Sequence, residues 1–233
     1  ASMLVHVTHF TAVQSQVRKQ LEDARSLMVH ELKYDRDSEM RKYESIWIDY
    51  KERTEEIRDD WGNEGEMFRN KSHGWNEVDW KDILKIVERI EFKTINGTSD
   101  DIIPESPKKI NGIPSKNPRF IIVVGGQKLA RGLTLPGLMV SYFQRTSNAY
   151  DTLMQMGRWF GYRDGYVDLC RLYTSETMFQ HFWSIGVATE DMRKQFRSMK
   201  NAGKTPREYG IYIQNHPNLR ITSAMKMRYS HNV

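Results

Sequence analysis

Arg119-Phe120-Ile121-Ile122-Val123-Val124-Gly125-Gly126 is a continuous apolar run closed by two glycines. No position in it alternates toward water, so it reads as a strand buried on both faces, the kind found in parallel sheets covered by helices. Downstream come a glycine-rich loop over 125–137, a strand from Leu138 to Phe143 and a helix from about Ala149 to Arg158. A strand from Leu169 to Tyr173 and a helix from Ser175 follow. This alternation predicts an α/β fold with a mostly parallel sheet and flanking helices. In such sheets ligands gather outside the carboxyl ends of the strands. The segments 125–137 and 155–163 fall in such positions or on a helix flanking them.

Upstream, Leu4-Val5-His6-Val7 predicts a short buried strand, and Thr8 to Thr11 supply cap-capable residues before a helix over about Ala12 to His30. Val13, Val17, Leu21, Ala24, Leu27 and Met28 give that helix its apolar spacing. From Asp35 to about Arg69 the chain is dense in charge, and Tyr43, Ile46, Trp47, Tyr50 and Ile57 recur near the helical period. One long amphipathic helix with a single buried face is expected there. Val78 to Arg89 predicts another helix, and Ile90 to Ile95 a strand. Asn96 to Pro118 holds four of the seven prolines and reads as a loop or linker. The whole is expected to be one domain with a helical insertion at about 30–90 and a basic extension at about 176–233.

With 233 residues, 39% of them hydrophobic and 28% charged, the chain falls among globular proteins large enough to bury a core without cross-links. Its one cysteine, Cys170, lies in an apolar stretch and is expected to be a small buried thiol, in keeping with a reducing cytoplasm. No apolar run approaches the roughly 18 residues of a membrane span, and the first residues lack the zones of a secretory signal. The chain opens without Met on a strand-like run, which reads as part of a longer polypeptide. Net charge is +5, unevenly spread: residues 1–118 carry 19 Lys/Arg against 23 Asp/Glu, and residues 119–233 carry 16 against 7. Residues 193–228 hold nine Lys/Arg against one acid, Glu208. Such a run is either a solvated basic face or a surface that meets phosphates. Arg193, Lys194, Arg197, Lys204 and Arg207 are the candidate contacts.

Two motifs carry the chemistry. In Gly125-Gly126-Gln127-Lys128-Leu129-Ala130-Arg131-Gly132-Leu133-Thr134-Leu135-Pro136-Gly137, the glycines permit close approach of backbone N–H groups to an anion, and Lys128 and Arg131 add positive charge. Taken alone, glycines at strand ends are more often plain turns. The loop is not a P-loop, because no G-x-x-x-x-G-K-[ST] occurs in the chain. In Gln155-Met156-Gly157-Arg158-Trp159-Phe160-Gly161-Tyr162-Arg163, an arginine at a helix end and a second past Gly161 could present guanidinium groups to a transferred phosphoryl. Alone, the same aromatics and arginines could serve packing and an ion pair.

Together these motifs resemble the second RecA-like lobe of superfamily-two helicases and ATPases. Ala130-Arg131-Gly132-Leu133-Thr134-Leu135-Pro136-Gly137 is similar to helicase motif V, and Gln155-Met156-Gly157-Arg158 with Gly161 and Arg163 is similar to motif VI. The wording G-G-x-K-L-x-R-G-L-T-L-x-G-L with Y-D-T-L-M-Q-M-G-R-W-F-G-Y-R more specifically resembles the Z-one domain, a family attached to such ATPases in bacterial restriction endonucleases. The resemblance implies that Gly125, Gly126, Arg131, Gly132 and Gly157 lie toward nucleotide, with Lys128 toward nucleic-acid backbone. Thr134 stands where helicases usually carry a ribose-contacting Asp. Gln155, Arg158 and Arg163 would face the γ-phosphate, Arg158 as arginine finger; helicases space the two arginines three apart, and here they are five apart.

Hydrolysis also needs a phosphate-cradling Lys and a carboxylate for Mg²⁺, and the chain offers neither in the expected motif. ATP and Mg²⁺ would then be held mainly by a first RecA-like lobe of the same longer polypeptide, and none by this chain alone. The expected function is the arginine-finger lobe of an ATP-dependent DNA helicase or translocase in a restriction or defence system. DNA and methyltransferase or nuclease components would be its partners. The alternative is a non-catalytic module with a degenerate helicase lobe that binds nucleic acid or a partner protein. Glu91-Phe92-Lys93, with Asp79 or Asp82 upstream, is a weak nuclease pattern, and the seven scattered His have no metal-binding spacing.

Overall fold

The computed structural model describes residues 1–61, 74–96, 119–126, 135, 137–144, 149–157, 160, 169–205 and 208. They fall into two compact units, one of residues 1–143 with 159–173, the other of 144–158 with 174–233. The first unit is built on β1 (Ser2–His6), α1 (Thr11–Tyr34), α2 (Arg36–Trp61), α3 (Trp80–Glu88), β2 (Ile90–Ile95), β3 (Phe120–Gly125), β4 (Leu138–Phe143) and β5 (Arg171–Thr174). The strands form one sheet in the order β2-β3-β1-β4-β5. The β2–β3, β3–β1 and β1–β4 pairings are parallel, so the α/β fold with a mostly parallel sheet is present as expected.

Register places Leu4 beside Val123 on one side and Ser141 on the other. Val123 and Val124 are fully buried, as the unbroken apolar run requires. Before β4, Gly137 takes φ +68°, a left-handed turn open to glycine at little cost, and its carbonyl accepts the Ser2 amide at 2.8 Å. Chain reversal and strand pairing are joined at that residue.

The helices depart from their predicted faces. In α1, Val13, Leu27 and Met28 are exposed, and the fully buried residues are Gln14 and Leu32. The helix turns a different stripe to the sheet, and long cationic side chains cover β2. The Arg25 guanidinium lies 5.4 Å from the Phe92 ring centre and donates to the Ile90 carbonyl at 3.0 Å, while Arg18 reaches Thr94 Oγ1 at 3.3 Å. Arginine can do this because its stem packs while its head still finds an acceptor.

In α2, Ile46 is 58% exposed, against the expected buried face, while Tyr43, Trp47 and Tyr50 are half-buried. Tyr50 grips the start of β5. Its hydroxyl donates to the Leu169 carbonyl at 3.1 Å, and its ring lies under the Arg171 guanidinium at 4.1 Å. That guanidinium also donates to the Tyr50 carbonyl and Thr54 Oγ1, both at 3.0 Å. With Leu169 held this way, β5 begins at Arg171 rather than Leu169, and Cys170 is half-buried rather than buried.

The second unit contains α4 (Tyr150–Met156) and α5 (Glu176–Asn201). Ser175 caps α5, its hydroxyl accepting the Met178 amide at 3.3 Å. Tyr150, Leu153 and Met156 of α4 and Met178, Ile185 and Ala188 of α5 are buried. Met178, Phe179, Phe182, Trp183 and Ile185 read in the sequence as one packing stripe of this helix, but Phe179 and Trp183 are exposed. A 26-residue helix has room for a buried stripe through 178, 185 and 188 and a separate outward stripe through 179 and 183.

Candidate functional site at the carboxyl end of the sheet

Three strands of the first unit finish at one place. β1 ends at His6 and reaches α1 through Val7 to Phe10, where Thr8 Oγ1 accepts the Phe10 amide at 3.2 Å and the Phe10 carbonyl accepts the Gln14 amide at 3.1 Å. β2 ends at Ile95, followed by the buried Asn96; β3 ends at Gly125, followed by the buried Gly126. The Gln14 side chain ties these ends together. Its Nε2 donates to the Thr8 carbonyl at 2.9 Å, and its Oε1 accepts from Asn96 Nδ2 at 3.0 Å.

Gln14 and Asn96 are tolerated in the interior because each amide finds a partner there. Glycine at 126 follows from the same packing. A Cβ on it would stand 2.7 Å from Gln14 Nε2 and 3.3 Å from the Thr8 carbonyl oxygen. His6, 1% exposed, meets the Phe143 ring edge-on, with centres 5.2 Å apart, at the β1–β4 junction. β1 hands the chain to α1 on the β2–β3 side of the sheet, whereas β4 precedes the β5 side. The carboxyl ends of β1 and β4 thus mark where the winding changes direction, the customary ligand crevice of an open α/β sheet.

The chemistry here is that of backbone donors. The first turn of α1 carries no acidic residue, so its free N–H groups keep their partial positive charge beside Gly126, whose added Cβ would lie 3.6 Å from His9 Cα. This is a polar floor at the carboxyl end of β3. It is suited to an anionic group.

Of the predicted site residues, Gly125 and Gly126 lie in this floor. Gln155 is exposed on α4, and Gly157 caps its C-terminus, where an added Cβ would stand 3.7 Å from the Phe182 ring, both in the second unit. Arg193, Lys194, Arg197 and Lys204 are exposed at the C-terminal end of α5 or just beyond it. Lys128, Arg131, Gly132, Thr134, Arg158, Arg163 and Arg207 lie outside the described residues.

The weak nuclease pattern is not assembled. Asp79 caps α3 by accepting the Lys81 amide at 2.9 Å, and Asp82 pairs with Lys85 at 2.9 Å. Among the described residues no group of three or more His, Cys, Asp or Glu is placed to hold a metal ion, and no helix is long and apolar enough to cross a membrane. Thr8, Gln14 and Asn96 were not among the sequence candidates. Gln14 sits one place from Val13 in an apolar pattern, and the pairing spans 82 residues, a relation no local spacing reports.

No curated protein and no solved structure matches the chain. A family model does, that of the Z1 domain, the family its motifs resemble, and it covers residues 1–220. The match spans nearly the whole chain and both units, and the chain therefore belongs to the Z1 domain family.

Proposed function

We propose that this chain is the second, arginine-finger lobe of an ATP-driven DNA helicase or translocase of a restriction or defence system. The observation that carries the reading is the anion-suited floor at the end of β3, where Gly125-Gly126 packs against the start of α1 and leads into the motif V-like segment. In this reading Arg131 and Gly132 couple nucleotide to nucleic acid, and Arg158 supplies charge to the transferred phosphoryl, with Gln155 and Arg163 beside it. The Lys and carboxylate that hold ATP and Mg²⁺ belong to a first RecA-like lobe, so this chain alone does not turn over ATP. DNA backbone meets Lys128 and the basic end of α5, and the complex works in the cytoplasm with methyltransferase or nuclease components.

A second reading, a non-catalytic module that binds nucleic acid or a protein, is favoured by Thr134 at the position of the ribose-contacting acid. The two diverge in one assay, the DNA-stimulated ATPase of the full-length polypeptide. An arginine finger is worth about 10³- to 10⁵-fold in rate. Arg158→Ala should remove turnover while nucleotide binding is kept, and Arg131→Ala should weaken the stimulation by DNA. Unchanged turnover in Arg158→Ala rejects the motor reading.

A further inference from the structure

The outward face of α5 is built from parts that the packing of the chain does not explain. Trp183 is 64% exposed and Phe179 50% exposed, with ring centres 6.5 Å apart and planes inclined by 31°. Two helical turns beyond Phe179, Gly186 sits in the middle of a 26-residue helix, and a Cβ added there would meet no described atom within 4 Å. Glycine is the least favourable ordinary residue in a helix interior, and it is usually explained by a close neighbour. No such neighbour comes from the described residues, and Gly186 is itself exposed, so the space beside Trp183 is open to something from outside.

Charge identifies the visitor. At 100° per residue, Lys194 and Arg197 fall within about 40° of Trp183 around the helix, and Lys194 lies about 16 Å further along the axis. Glu190 shares this face but is paired with Arg193 at 3.5 Å. An aromatic platform followed by cations along one line matches a strand of nucleic acid with unpaired bases: rings accept bases face to face, and cations meet the phosphates that follow. An apolar protein partner would find no complement for the cations, and a duplex keeps its bases stacked within.

We propose that Phe179 and Trp183 form a base-stacking platform for single-stranded nucleic acid, with Gly186 leaving room for the base and Lys194 and Arg197 holding phosphates further along the strand. The proposal rests on the reading that the basic end of α5 faces DNA, and names the form of DNA it takes.

The test measures binding of the full chain to a dye-labelled oligo-dT and to a duplex of equal length, by fluorescence anisotropy over a salt series. Stacking is worth about 5- to 150-fold in affinity per base. Trp183→Ala should weaken oligo-dT binding by that factor with little change in duplex binding or salt slope, and Trp183→Phe should restore most of it. Gly186→Leu, whose Cβ would meet no described atom within 4 Å, should keep or raise thermal stability and lower oligo-dT affinity. Lys194→Gln with Arg197→Gln should reduce the magnitude of the log–log salt slope by about 1.4, two phosphates' worth on a single strand. If the charge variants weaken DNA binding but Trp183→Ala and Gly186→Leu do not, the platform is refuted and the DNA-facing reading stands. If the wild-type chain binds neither DNA, or the charge variants bind as wild type, that reading falls with it, and a protein partner is left as the occupant of this face.

Discussion

Replacing Gly126 by alanine tests whether the three strand ends are held by one buried amide. The backbone there is not in the left-handed region, so alanine is not excluded by conformation. On that ground alone, the substitution should stabilise by about 0.4–1 kcal/mol through the unfolded state. Opposing this is the 2.7 Å approach of the new methyl to Gln14 Nε2. The end of a glutamine normally yields at small cost, but this one is fully buried and bonded at both amide atoms, to Thr8 and Asn96. If it retreats, two buried groups lose their partner, each at about 1–3 kcal/mol. The balance is a net loss of about 1–5 kcal/mol, and a mid-range loss of about 3 kcal/mol lowers Tm by about 6–12 °C in a chain of this size.

Urea titration of the wild type, Gly126→Ala, Gln14→Ala and the double variant reads this directly. Gln14→Ala removes the severe obstacle and leaves only the 3.3 Å approach to the Thr8 carbonyl oxygen, so adding Gly126→Ala to it should cost little, and the two changes should be strongly non-additive. Gly126→Ala as stable as wild type, or simple additivity in the double variant, refutes the reasoning.

Two further outcomes follow from the packing. Leu153→Ala, at a fully buried position of α4, should cost about 2–5 kcal/mol by thermal or urea unfolding, since the lost side chain leaves a cavity. Burial pushes the Tyr50 phenol up to about 12, against an opposing pull from Arg171. The unfolded chain releases that proton near pH 10 while the folded chain keeps it, so the contribution is whole below pH 10 and is lost as pH rises from 10 to 12. Tyr50→Phe should be less stable at pH 7 by about 1 kcal/mol, the bond to Leu169 being gone. Its stability should decline less steeply than wild type between pH 10 and 12, as followed by circular dichroism.

Local chemistry made much of this protein legible in its sequence. The unbroken apolar run at Phe120 to Gly125, the strand at Leu138 to Phe143, the cap at Ser175 and the glycine turn at 137 each depend on neighbours a few residues away. Hydrophobic period and turn preference report such relations directly. The motif wording that marks the family is likewise a matter of spacing along the chain. Tertiary structure alone decided the strand order, the exposure of Ile46, Phe179 and Trp183, and the placing of Gln14 beneath Gly126. A helix with apolar residues on more than one side can bury any of several stripes, and the choice falls to the surfaces packed against it. A buried glutamine is stable only when its partners, 6 and 82 residues away, arrive together, and that is a property of the folded sheet rather than of any segment within it.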